Sequence, residues 1–114
     1  LLENVAGVYG SLLLGSRLLV PPQADVGLSG SSSFDPGPAV EMIRQTGCET
    51  LILLPFMLQL LVAHLAKTLA TLPSLRYVAV GGGRVSPSLL EAASAAGLPV
   101  YEGYGLTEAC SVVC

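Results

Sequence analysis

The chain has 114 residues, 52% of them hydrophobic and 11% charged, with a formal net charge of −3 at pH 7. Five basic residues against eight acidic ones exclude a nucleic-acid partner, because phosphates are held by clustered Lys and Arg. The longest apolar run, Leu51 to Ala66, is broken by Pro55, Gln59 and His64 and falls short of the ~20 apolar residues a spanning helix needs, so no transmembrane segment is expected.

In chain order, residues 2–15 read as a helix with apolar positions nearly all the way round, hence a buried one, stopped by Gly15. "RLLVP" reads as a short strand closed by Pro21-Pro22. The segment 23–39 is rich in Gly, Ser and Pro, and a flexible loop is expected at about 23–35. Asp35 as cap, Pro36 in the first turn and Gly47 as stop predict the next helix, with Val40, Ile43 and the 46–47 region inward. "ETLILLP" is a continuous apolar strand of the kind covered on both faces in a parallel sheet.

Pro55 opens a helix from 56 to about 70, and "LRYVAVGGG" is a third strand running into glycines. Ser86 as cap, Pro87 as first residue and Gly97 as stop delimit a helix with Leu89, Leu90 and Ala93 as its buried stripe. "PVYEGYG" is a fourth strand leading into a loop, and "TEACSVV" starts a further element. Strand alternating with helix at this spacing predicts an α/β fold: a partial doubly wound, mainly parallel sheet with flanking helices. Ligands of such sheets bind beyond the carboxyl ends of the strands. The polar, glycine-rich segments 81–86 and 102–108 both follow strands, and are expected side by side.

A mean hydropathy of +0.69 is high for a freestanding domain. With no opening Met and an abrupt end at "SVVC", the chain is expected to be a fragment, residues 1–114 forming one partial subdomain whose faces other residues cover. Alone, it is expected to self-associate through exposed apolar surface. No signal peptide is visible. Cys48, Cys110 and Cys114 form no CxxC pair, and the lone His64 completes no zinc set, so the thiols read as structural in a reducing compartment. His64 reads as a partly buried structural residue. Glu3 and Asn4 interrupt the first helix, either capping its start or facing a substrate channel.

Gly81, Gly82 and Gly83 remove every side chain where strand becomes loop, so a flat ring or a phosphate can approach the backbone. A tight turn alone would need one or two of them. No dinucleotide fingerprint is present, because Ser86 holds the third glycine position. "GSLLLGSR" has two glycines five apart but lacks the Lys-Ser/Thr of a phosphate loop. In "EGYGLTE", Thr107 and Glu108 read as a helix start. That leaves Tyr104 unexplained, an aromatic between Gly103 and Gly105, suited to stacking on a base. A hydroxyl such as that of Thr107 suits a phosphate oxygen, and a carboxylate such as that of Glu108 suits Mg²⁺, which shares oxygen ligands with phosphates.

"GYGLTE" at 103–108, preceded by "GGGRVS" at 81–86, resembles the AMP-binding family of adenylate-forming enzymes, which includes acyl-CoA synthetases and luciferases. The likeness extends over "LLENVAGVYGSLLLGSRLLVP", "FDPGPAVEMIRQTGCETLILLPFML" and "LPSLRYVAVGGGRVS", which look like consecutive segments of that family's large N-terminal domain. The opening segment is most similar to the long-chain acyl-CoA synthetase branch.

The resemblance implies an ATP-dependent, AMP-forming ligase that activates a carboxylic acid, a fatty acid by that branch, and passes it to coenzyme A; the rival readings are another AMP-forming acid ligase and a non-catalytic nucleotide-binding α/β module whose glycines serve turns. It implies a nucleotide-binding set of Gly81, Gly82, Gly83, Glu102, Gly103, Tyr104, Gly105, Leu106 and Thr107. Within it Tyr104 would stack on adenine, and Thr107 would hydrogen-bond the α-phosphate. Glu108 would bind Mg²⁺, making Thr107 and Glu108 the catalytic pair. Gly83 stands where many relatives carry alanine, and Arg84 where they often have proline. The family's phosphate loop ending in lysine, its ribose-binding aspartate and its C-terminal domain are absent from these residues, so the isolated chain is expected to be inactive. The parent is expected in the cytoplasm, in solution or at a membrane surface.

Overall fold

The computed structural model of the chain describes residues 7–30, 33–106 and 111–112. Glu3, Asn4, Thr107, Glu108, Cys110 and Cys114 lie outside the described residues. The chain enters through a short helix, α1 (Gly10–Leu13), after which Gly15 takes a positive φ of 65°. This helix was expected to be buried, yet Leu12, Leu13 and Leu14 are 66%, 87% and 82% exposed. Their apolar character favours burial, but no described residue packs over them.

The strand expected at "RLLVP" does not form: residues 16–22 carry no regular structure, and no strand among the described residues pairs with them, as strand geometry requires. The polar segment that follows has local structure among its described residues. It holds a 3-10 turn over Gln23–Val26 and a small antiparallel pair, β1 (Leu28–Ser29) with β2 (Ser33–Phe34). Phe34 anchors that pair, being 8% exposed.

Helix α2 (Pro36–Thr46) begins as its sequence dictates. Asp35 Oδ1 accepts a hydrogen bond from Gly37 N–H at 3.0 Å, Pro36 fills the first turn, and Gly47 ends the helix at φ 63°. Val40 and Ile43 are buried as expected, and Thr46 is half-buried. Strand β3 (Thr50–Leu53) leads into α3 (Pro55–Thr68), whose buried Leu58, Leu61, Val62 and Leu65 follow the helical i, i+3, i+4, i+7 spacing. Strand β4 (Tyr77–Val80), helix α4 (Pro87–Ala95) and strand β5 (Val100–Glu102) complete the alternation. The chain then forms β6 (Gly105–Leu106), paired antiparallel with β7 (Ser111–Val112).

The main sheet has the order β3-β4-β5, parallel throughout. In register, Leu51 stands opposite Val78, which stands opposite Val100, so these three share a face. Leu53 and Val80 lie on the same face, and Val78 and Val80 are 0% and 1% exposed. The buried residues of α2, α3 and α4 join them in one core with Leu72, Leu75, Val85 and Leu98. Ala93 is the fully buried member of the α4 stripe, while Leu89 and Leu90 are partly buried against the same core.

The opposite face carries Tyr77 and Tyr101, stacked with centroids 4.8 Å apart and planes 19° from parallel, and the chain at Gly7 approaches Ile52 on that face. Strand β3 was expected to be covered on both sides, but only Leu53 is buried. It is an edge strand of the described sheet, so its apolar run lacks a second neighbour. No helix among the described residues is long and apolar enough to cross a membrane.

Truncating the fully buried Leu58 to Ala is expected to lower stability by about 3 kcal/mol through lost burial and a residual cavity. Ser86→Ala, which removes the helix cap and an exposed hydroxyl contact with Ser88, should cost about 1 kcal/mol. Denaturant or thermal unfolding of the two variants checks the ratio.

Candidate functional site

Strands β4 and β5 are adjacent and parallel, so the loops that follow them emerge at the same edge of the sheet. This places the glycine triplet 81–83 beside Glu102, Gly103 and Tyr104. The residues flanking the triplet are tied to the second segment by two hydrogen bonds: Gly103 N–H donates to Val80 C=O at 3.0 Å, and Val85 N–H donates to Glu102 Oε1 at 3.3 Å. Gly81 is tied to the other neighbour, its N–H donating to Leu53 C=O at 3.2 Å.

The three glycines are not equivalent. Gly81 is buried, while Gly82 and Gly83 are exposed. Gly82 has φ +79°, and a Cβ there would stand 2.8 Å from Leu54 Cδ2. The positive φ is what favours glycine here; the Leu54 methyl would only have to shift to admit a Cβ. A Cβ on Gly83 would meet Pro55 Cγ at 3.5 Å, an ordinary contact. Leu54 and Pro55, at the β3–α3 junction, thus form the floor beneath the triplet. Beyond it, Val85 is buried at 5% exposure and Ser86 Oγ caps α4 by accepting from Leu89 N–H at 3.2 Å.

On the β5 side, Gly103 has open space around the position a Cβ would take, and the Tyr104 ring is 59% exposed. A free aromatic ring beside open backbone can receive a flat ligand. Gly105 and Leu106 continue as strand β6, paired in register with Val112 and Ser111. A helix start was expected just past them; Thr107 and Glu108 lie outside the described residues, and the next described residues, Ser111–Val112, are strand. Glu102, expected among the nucleotide contacts, has its carboxylate turned to Val85 N–H, a partnership that no motif spacing announces.

The remaining candidates stand apart from this edge. His64 is half-buried on α3, its Cε1 3.9 Å from where a Cβ on Gly37 would sit. Among the described residues no group of three or more His, Cys, Asp or Glu could hold a metal ion. Burial pushes the Cys48 thiol above its ordinary pKa, which holds it protonated and poorly nucleophilic.

Gly82→Ala is expected to destabilise the protein by about 1–2 kcal/mol, because it forces a positive φ on a residue with a Cβ and drives it into Leu54. Gly83→Ala should change stability by less than about 0.5 kcal/mol. Thermal unfolding of the pair separates a positional requirement for glycine from mere loop flexibility.

Comparison with known proteins gives a consistent result. The AMP-binding enzyme family matches residues 2–114. The chain is 39% identical over 83 residues to a 2-succinylbenzoate–CoA ligase of Geobacillus kaustophilus, covering 72% of this chain and 16% of that protein. It is 36% identical over 78 residues to a feruloyl-CoA synthase of an Amycolatopsis species, covering 68% of this chain and 16% of that one. Among solved structures, O-succinylbenzoate coenzyme A synthetase (MenE) from Bacillus subtilis, in complex with ATP and magnesium ion, shares the fold with a TM-score of 0.74 at 22% identity, over 98% of this chain and 21% of that chain. The N-terminal subdomain of Klebsiella oxytoca NpsA aligns with a TM-score of 0.70 at 27% identity, over 93% of this chain and 25% of that one. The chain therefore spans about a sixth of the length of the two ligases it matches. With the family matched along all but the first residue, this chain belongs to the AMP-binding enzymes.

Proposed function

We propose that the full-length protein carrying this chain is an ATP-dependent, AMP-forming carboxylic acid–CoA ligase. The observation that supports it best is the placement of the glycine triplet and the Tyr104 segment side by side at the carboxyl ends of β4 and β5. In this reaction the acid's carboxylate attacks the α-phosphorus of ATP and pyrophosphate leaves; the thiol of coenzyme A then attacks the acyl carbon of the adenylate, loses its proton, and AMP leaves. Within the chain, Tyr104 and the open backbone at Gly103 offer a surface for adenine, and Gly81–Gly83 form a wall without side chains beside it.

On this reading Thr107 donates its hydroxyl to an α-phosphate oxygen, and Glu108 supplies one carboxylate to Mg²⁺. A single protein carboxylate suits Mg²⁺, which takes its other ligands from phosphates and water. The metal's part is to neutralise charge growing on the phosphate oxygens. A lysine-bearing phosphate loop and a C-terminal domain with its own lysine are left to the rest of the protein.

The names of the relatives point to the acid's class. A 2-succinylbenzoate ligase and a feruloyl-CoA synthase both take their names from aryl-substituted acids, so the reading favours an aromatic carboxylate. A fatty acid is the second reading, favoured by the likeness of the opening segment to the long-chain branch.

Glu108→Gln in the full-length protein should lower acid-dependent ATP–pyrophosphate exchange by about tenfold or more; exchange at the wild-type rate sinks the metal role. Across a panel of acids, exchange is expected with benzoate- or cinnamate-type acids ahead of long-chain fatty acids. The reverse order selects the second reading, and no exchange with any acid rejects the ligase assignment.

A further inference from the structure

Of the side-chain hydrogen bonds among the described residues, one alone joins positions more than four apart in sequence: Val85 N–H to Glu102 Oε1. It does not act singly. Gly103, the next residue, donates its N–H to Val80 C=O. Two consecutive residues at the end of β5 therefore hold both ends of the loop 81–84, Val80 on one side and Val85 on the other.

Between those ends lie the glycine triplet and Arg84, a stretch whose own sequence supplies almost no side chain to hold it. Val85 is buried and its neighbour Ser86 begins α4, so the Val85 end is anchored to the core. The Glu102 carboxylate thus connects that anchored end to the residue immediately before Gly103 and Tyr104.

We propose that Glu102 is a positioning residue, whose carboxylate latches the glycine loop to the Tyr104 segment and so sets the separation of the two walls between which the nucleotide binds. The kinetic half of this rests on the ligase reading above; the latch itself does not. A carboxylate committed to Val85 N–H acts on the nucleotide through the loop, not by touching the base. Glutamine, of the same length and with an acceptor oxygen at Oε1, replaces it. Aspartate, one methylene shorter, keeps the charge but not the reach, and leucine keeps neither acceptor nor charge.

The test uses the full-length protein with Glu102→Gln, Glu102→Asp and Glu102→Leu, read in two ways. Hydrogen–deuterium exchange at the Val85 amide should accelerate about tenfold in the Asp and Leu variants and stay near wild type in the Gln variant. In pyrophosphate exchange, the apparent KM for ATP should rise about tenfold in the Asp and Leu variants, with kcat changed less than about threefold and the Gln variant close to wild type. The same rise should occur with a purine nucleoside triphosphate lacking the 6-amino group.

Unchanged Val85 exchange in both the Asp and Leu variants overturns the latch. A KM effect that disappears with the nucleotide lacking the amino group overturns positioning in favour of direct contact with the base. A wild-type protein inactive with every acid rejects the ligase reading, while amide exchange still decides whether Glu102 holds Val85.

Discussion

Strand β4 is hydrogen-bonded to β3 on one edge and β5 on the other, and its Val78 and Val80 are fully buried in the core shared with the helices. A parallel strand with both edges paired and its inward side chains in the core has no freedom of register. A slip of one residue would put Tyr77 and Ala79 into the core and both valines outside. Because β4 cannot slip, the point at which it ends is fixed as well. The loop at 81 starts against Leu53 on one side and Gly103 on the other. The candidate site is thus a consequence of hydrophobic packing one layer below it.

The site also shows how the need for glycine differs within three residues. At Gly82 the positive φ strains any residue with a side chain, and a Cβ would also have to displace the Leu54 methyl. At Gly83 a methyl group would meet only Pro55, at ordinary contact distance. The loop owes its shape less to its own residues than to what grips it: Leu54 and Pro55 beneath, Glu102 and Gly103 alongside. A loop with few side chains keeps a fixed geometry only when neighbours supply the restraint, and here the hydrogen bonds Gly103–Val80 and Val85–Glu102 hold its two ends.

Much of this was legible in the residues, and the reasons differ from place to place. The caps at Asp35 and Ser86 and the stop at Gly47 act within one helical turn, so sequence spacing is enough to find them. The two loops after β4 and β5 could be expected together because alternating strands and helices force parallel crossovers. The segment at 17–20 and the exposed Leu12–Leu14 failed for the opposite reason. Apolar patterning records that burial is favourable, but it does not name the surface that provides it. The β3 run "TLIL" is a milder case: its apolar composition suits two covered faces, while the described sheet leaves one of its edges unpaired.

Sequence by itself determined the α/β alternation from residue 36 onward, the caps at Asp35 and Ser86 and the stop at Gly47, and that the glycine triplet and the segment from Gly103 follow strands. These properties depend on local backbone preference and on periodicity, which a linear chain carries in full. Only the tertiary structure decided the order β3-β4-β5, the requirement for glycine at 82 rather than 83, the stacking of Tyr77 on Tyr101, and the engagement of Glu102 with Val85. Each of these joins residues far apart along the chain, and it is packing of the whole core that sets which distant groups come within reach.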